Sequence, residues 1–92
     1  MEKEERRQMR LLPDELIVWR GVGHEEAVHG LSWTLDRDKA IWFANRGGSQ
    51  STPILAQGHI LKEDVRAFFS LGNEAEIVVL PERVKLVEVE RL

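Results

Sequence analysis

Hydrophobic and polar positions change rhythm several times along this chain. Residues 2–10 are almost all charged, and apolar side chains begin only at Met9, Leu11 and Leu12. Glu2 and Arg6 have the spacing of a favourable helical pair, whereas Lys3 and Arg7 share it and repel. Residues 1–12 therefore read as a charged helix or tail too weak to fold alone. Pro13 ends it, because the residue before a proline is pushed out of the helical region. Residues 13–92 read as a single domain.

Residues 16–22 are rich in β-branched and aromatic side chains and predict a strand. Residues 24–30 are a polar loop, and 31–35 predict a second short strand. Asp36 has the character of an N-cap, with Lys39 where a full capping box has glutamate. Ala40, Phe43 and Ala44 recur at helical spacing, so 37–46 predicts an amphipathic helix stopped by Gly47-Gly48. After a polar linker and Pro53, residues 54–61 predict a strand, with a bulge marked by Gly58. Further strands are expected at 65–69, 74–80 and 84–89, separated by a charged turn, the Gly72-Asn73 turn and Pro81. The expected fold is α+β: a small mixed, mostly antiparallel sheet of about six short strands with one main helix. Trp19, Trp33, Trp42, Phe43, Phe68 and Phe69 are read as core.

Composition narrows the function classes. At 92 residues and 42% hydrophobic content, one thin core burying roughly 60–70% of the unfolded surface is within reach. The absence of cysteine excludes disulfides, thiolate catalysis and Cys-ligated zinc, and fits a reducing compartment. The charged first ten residues carry no secretory signal, so a cytoplasmic location is expected. No apolar run approaches the roughly 18 residues of a membrane span, so no membrane association is expected. Thirteen basic against sixteen acidic residues give a net charge of −3, which argues against a nucleic-acid coat. His24, His29 and His59 lack metal-ligand spacing, and Gly47-Gly48-Ser49 lacks the lysine of a phosphate loop. No metal is expected.

Strand parity picks out the candidate chemistry, because side chains alternate between faces. Arg20 shares a face with Leu16 and Val18, and an arginine there calls for an anionic partner. Gly21 beside it allows a ligand or another backbone to approach closely. Ser32 and Thr34 share one face while Trp33 takes the other. Glu74 and Glu76 share a face with Val78 and Leu80, and carboxylates two apart on a strand are near neighbours. Taken singly, each has an ordinary reading as a rim or solvated residue. If the three strands are neighbours, a guanidinium, two hydroxyls and two carboxylates meet at one cleft.

In order, Trp19-Arg20-Gly21, Ser32-Trp33-Thr34 and Glu74-Ala75-Glu76 resemble the Arg–Ser–Glu branch of the ADP-ribosyltransferase superfamily. The stretch Gly30-Leu31-Ser32-Trp33-Thr34-Leu35-Asp36 resembles small phage and prophage members. The likeness covers roughly residues 14–90. It implies an ADP-ribosyltransferase-like domain that uses NAD as co-substrate and modifies a host protein target, with arginine the acceptor that a Glu-x-Glu pair goes with. It also implies roles. Arg20, beside Gly21, would hold the NAD pyrophosphate. Ser32 would brace the catalytic glutamate or the ribose, and Thr34 would support that strand. Glu76 would be the catalytic glutamate, Glu74 would orient or deprotonate the acceptor, and residues 68–73 would help recognise the target.

Two other readings stand beside this one. The small size, and the lack of the helical subdomain that usually precedes the first motif, suit an inactive member that binds and inhibits a host defence complex. Alternatively, Arg20 and Glu76 form an internal ion pair in a purely structural domain.

Overall fold

A computed structural model describes residues 7, 10–24, 27–47, 52–69 and 75–92. Six strands form one sheet: β1 (Glu15–Val22), β2 (Ser32–Thr34), β3 (Ile54–Leu61), β4 (Val65–Phe69), β5 (Glu76–Val79) and β6 (Lys85–Arg91). Helix α1 (Arg37–Ala44) lies between β2 and β3. The strand order is β4-β5-β2-β1-β3-β6, and every neighbouring pair is antiparallel.

The sheet is thus wholly antiparallel rather than mixed. The reason lies in where β3 docks. A helix crossover between two strands of one sheet gives a parallel pair only if they are neighbours. Here β2 and β3 lie on either side of β1, each antiparallel to it. They run the same way without touching as a ladder.

The register fixes the two faces. Leu16, Val18, Arg20 and Val22 stand opposite Ile60, Gly58, Ala56 and Ile54. On this face the core forms, with Trp33, Phe68, Ile77 and Val79 joining Val18 and Ile60. Full burial of each such side chain contributes about 1.5–3 kcal/mol. On the other face α1 lies against β1, burying Ala40 and Ala44. The pairing of β3 with β6 shifts between Gln57 and Gly58, the bulge that the glycine marks.

Element ends follow local chemistry. Asp36 caps α1, its carboxylate accepting from the backbone N–H groups of Asp38 and Lys39. The helix stops at Ala44 rather than 46. The Asn45 side chain donates to the Ile41 carbonyl at 3.1 Å, and a 3-10 turn (Asn45–Gly47) follows. Strand β5 begins at Glu76 because Ala75 has φ 45°, a left-handed conformation that breaks the extended run. Lys62 donates to the carbonyls of Arg10 and Leu12, tying the segment before β1 to the β3–β4 turn. Among the aromatics, Trp33 and Phe68 are core as expected. Trp42 and Phe69 are exposed instead, because α1 turns its alanines to the sheet and Phe69 lies on the open face of edge strand β4. No helix among the described residues is long and apolar enough to cross a membrane.

Candidate active site

The three motif-bearing strands are neighbours, in the order β5-β2-β1. Ser32 stands opposite Val78, and Thr34 opposite Glu76. The two hydroxyl residues and Glu76 therefore share one face, as parity requires. Across this pair the Ser32 hydroxyl donates to Glu76 Oε2 at 2.5 Å. This bond fixes the carboxylate by a neighbour on a different strand. Thr34 acts one step further along: its Oγ1 accepts from the Asp36 N–H at 3.0 Å, which joins β2 to the cap of α1.

Arg20 arrives from the other side. Strands β1 and β2 share the register position Trp19↔Thr34. Beyond it, among the described residues, they are not paired and the strands part. The Arg20 guanidinium occupies that gap. Nε donates to the Ala27 carbonyl at 2.9 Å and Nη1 to the Ser32 carbonyl at 2.8 Å. Desolvation by burial draws its pKa below the usual guanidinium value, though an arginine keeps its proton throughout the working pH range of proteins. Among the described residues no carboxylate lies within ion-pair distance of Arg20. Arg20 and Glu76 do not form the internal ion pair that one reading required. A half-buried cation held by carbonyl dipoles retains its positive charge and favours an anion beside it.

The room for Arg20 comes from Gly30. A Cβ built at position 30 would stand 2.2 Å from Arg20 Cζ and Nη2. The Gly30 carbonyl is also held, accepting from the Trp33 indole N–H at 2.9 Å. Gly30→Ala is predicted to expel the guanidinium, breaking both carbonyl bonds at a cost of about 1.5–3 kcal/mol, the worth of a hydrogen bond to a charged group. Equilibrium unfolding in urea checks this, and an unchanged midpoint contradicts it.

Between the strands and α1 lies a cavity of about 350 Å³. Arg20, Ser32, Thr34 and Glu76 line it, and so do Trp19 and Gly21. Gly21 has a second job here. Its missing Cβ would sit 1.6 Å from the Ala40 carbonyl oxygen, so the backbone that approaches at this glycine is that of α1. Glu74 and the 70–73 part of the expected recognition segment lie outside the described residues. Glu25 and Glu26, beside His24, do too. Among the described residues no group of three potential ligands could hold a metal ion.

The helix side of the cavity adds an aromatic ring and a second guanidinium. Phe43 faces it from α1, and Arg46 from the turn that follows. Phe43, expected in the core, is half-buried, and its helical spacing from Ala40 brings it to the cleft. Arg46, at the end of the predicted helix, carried no signal. The result is a cavity with a carboxylate fixed by a hydroxyl, two guanidinium groups and an aromatic wall. It suits a small ligand that pairs an anionic group with an electron-poor centre. Comparison with known proteins finds no matching protein family, curated protein or solved structure.

Proposed function

We propose that the chain is an NAD-dependent mono-ADP-ribosyltransferase that modifies a protein on arginine. The observation that carries this reading is the Ser32–Glu76 hydrogen bond in the same cavity as Arg20, a cation with no carboxylate partner among the described residues. The ordered likeness of the three motifs to the Arg–Ser–Glu pattern supplies the reaction.

In this reading the NAD pyrophosphate lies against Arg20, with Arg46 as a second cation at the cleft. A planar guanidinium fork suits phosphate oxygens. The cavity is at the small end of the range for ligand sites, so the nicotinamide ribose and pyrophosphate fill it and the adenosine extends past its mouth. The bond between the ribose C1′ and the nicotinamide nitrogen breaks. Its electron pair leaves with nicotinamide, which departs neutral, and positive charge develops on the ribose. The Glu76 carboxylate, held by Ser32, faces that charge and stabilises it, as carboxylates do in glycoside cleavage. A guanidine nitrogen of the acceptor then bonds to C1′ and loses its proton to a carboxylate base, the role the resemblance gives Glu74.

Incubating the protein with NAD and agmatine, a small guanidine acceptor, tests the reading. The expected result is an ADP-ribosyl-agmatine mass, together with calorimetric binding of NAD. Neither product nor binding at millimolar NAD overturns it and leaves the inhibitor of a host complex as the reading to pursue.

A further inference from the structure

The outer face of α1 carries a feature of which the cleft chemistry uses only one edge. Trp42 is 56% exposed. Its ring is bracketed by two cations: Lys39 Nζ lies 5.8 Å from the ring centroid and Arg46 Cζ 5.2 Å. Phe43 meets Trp42 edge-on with centroids 5.1 Å apart. Arg37, at the start of the same helix, lies over Trp19 at 5.6 Å on the sheet-facing side and stands outside this patch. Among the described residues neither Lys39 nor Arg46 lies within ion-pair distance of a carboxylate. Of the two acids beside them, Asp36 is committed to the helix cap and Asp38 is exposed.

The physical consequence is a positive, aromatic patch on a chain whose net charge is −3. Cations resting on ring faces keep their charge available to a partner. Tryptophan and arginine are also the side chains that dominate binding energy at protein interfaces. The patch is continuous with the cleft, because Arg46 and Phe43 belong to both.

We propose that this face of α1 docks an acidic segment of the acceptor protein next to the arginine that is modified. The proposal rests on the transferase reading and names its substrate class: an arginine with aspartate or glutamate neighbours. Charge complementarity selects an acidic peptide. A nucleic acid is a poorer match, since it needs a longer basic stripe than the two cations of this patch.

The test compares three acceptors: agmatine, a short peptide with one arginine among aspartates, and the same peptide with asparagines for the aspartates. The wild type is expected to prefer the aspartate peptide by about tenfold in kcat/KM, the ratio that roughly 1.4 kcal/mol of docking supplies. Lys39→Glu should abolish the preference and Lys39→Arg should keep it, with agmatine turnover unchanged in both. Equal rates on the two peptides, or a preference that survives Lys39→Glu, overturns the proposal. Competition by a single-stranded oligonucleotide as strong as that of the aspartate peptide overturns it in favour of nucleic acid. Failure of the wild type to modify agmatine strikes the transferase reading instead. Calorimetry of the aspartate peptide against wild type and Lys39→Glu then decides the docking surface by itself.

Discussion

Glu76→Gln is expected to lower ADP-ribosyl transfer to agmatine by a factor on the order of 10² to 10³, the usual loss when one preorganised stabiliser of transition-state charge is removed. The substitution keeps the shape of the side chain. The amide oxygen still accepts from the Ser32 hydroxyl, so β2 and β5 stay joined at this point. Only the carboxylate that the proposed mechanism sets against the ribose is lost. The loss should therefore fall on kcat, with the KM for NAD nearly unchanged because Arg20 is intact. A thermal unfolding midpoint close to that of the wild type would show that the fold is undisturbed. Turnover equal to the wild type would remove Glu76 from the chemistry.

Gly21→Ala is predicted to have the largest effect on stability. The new Cβ would lie 1.6 Å from the Ala40 carbonyl oxygen, 2.6 Å from its carbon and 2.8 Å from the Ala44 nitrogen. All three are backbone atoms of α1, so no side chain can rotate out of the way. The helix must lift from the sheet, uncovering Ala40 and Ala44, which are both fully buried. Overpacking of this kind costs about 3 kcal/mol or more, the upper end of what inserted methyl groups do. The same movement displaces Phe43 from the cleft wall, so NAD binding should weaken as well. Urea denaturation measures the first effect and calorimetry the second. A change in stability within about 0.5 kcal/mol, typical of a neutral surface substitution, would show that α1 is not seated as described.

Much of the fold was legible in the chain. Strands β3 and β4 match the predicted boundaries at both ends, because Pro53, the charged turn 62–64 and dense apolar runs punctuate them. The Asp36 cap was legible for a similar reason: a short acidic side chain followed by helical spacing has few other uses. Strand pairing was less accessible. Nothing local in β3 says that it docks beside β1 rather than β2, and that choice made the sheet wholly antiparallel. At the candidate site, parity grouped Ser32 with Thr34, Glu74 with Glu76, and Arg20 with Leu16 and Val18, each within its own strand. Only the register sets Arg20 on the face opposite Thr34 and Glu76, and parity could not say what the guanidinium holds. The answer is two backbone carbonyls, Ala27 and Ser32, and main-chain acceptors leave no trace in a sequence. Gly30 was hidden for the same reason. A loop glycine looks like punctuation until the side chain that fills its vacant volume is seen.

The sequence separation of 44 between Ser32 and Glu76 governs when the candidate site can form as the chain folds. Donor and acceptor meet across the β2–β5 ladder, which joins residues more than 40 apart in sequence. A sheet of such pairings must close long loops before its contacts begin to compensate the lost entropy, which makes folding slow compared with that of helical bundles. Strand β5 lies late in the chain, so a nascent polypeptide carries β1, β2 and α1 well before it carries the carboxylate. The cleft is then assembled by the closing steps of folding rather than by any local segment. An intact cleft would in that case report completion of the whole topology, and a chain released before β5 would hold Arg20 without the carboxylate that Ser32 fixes.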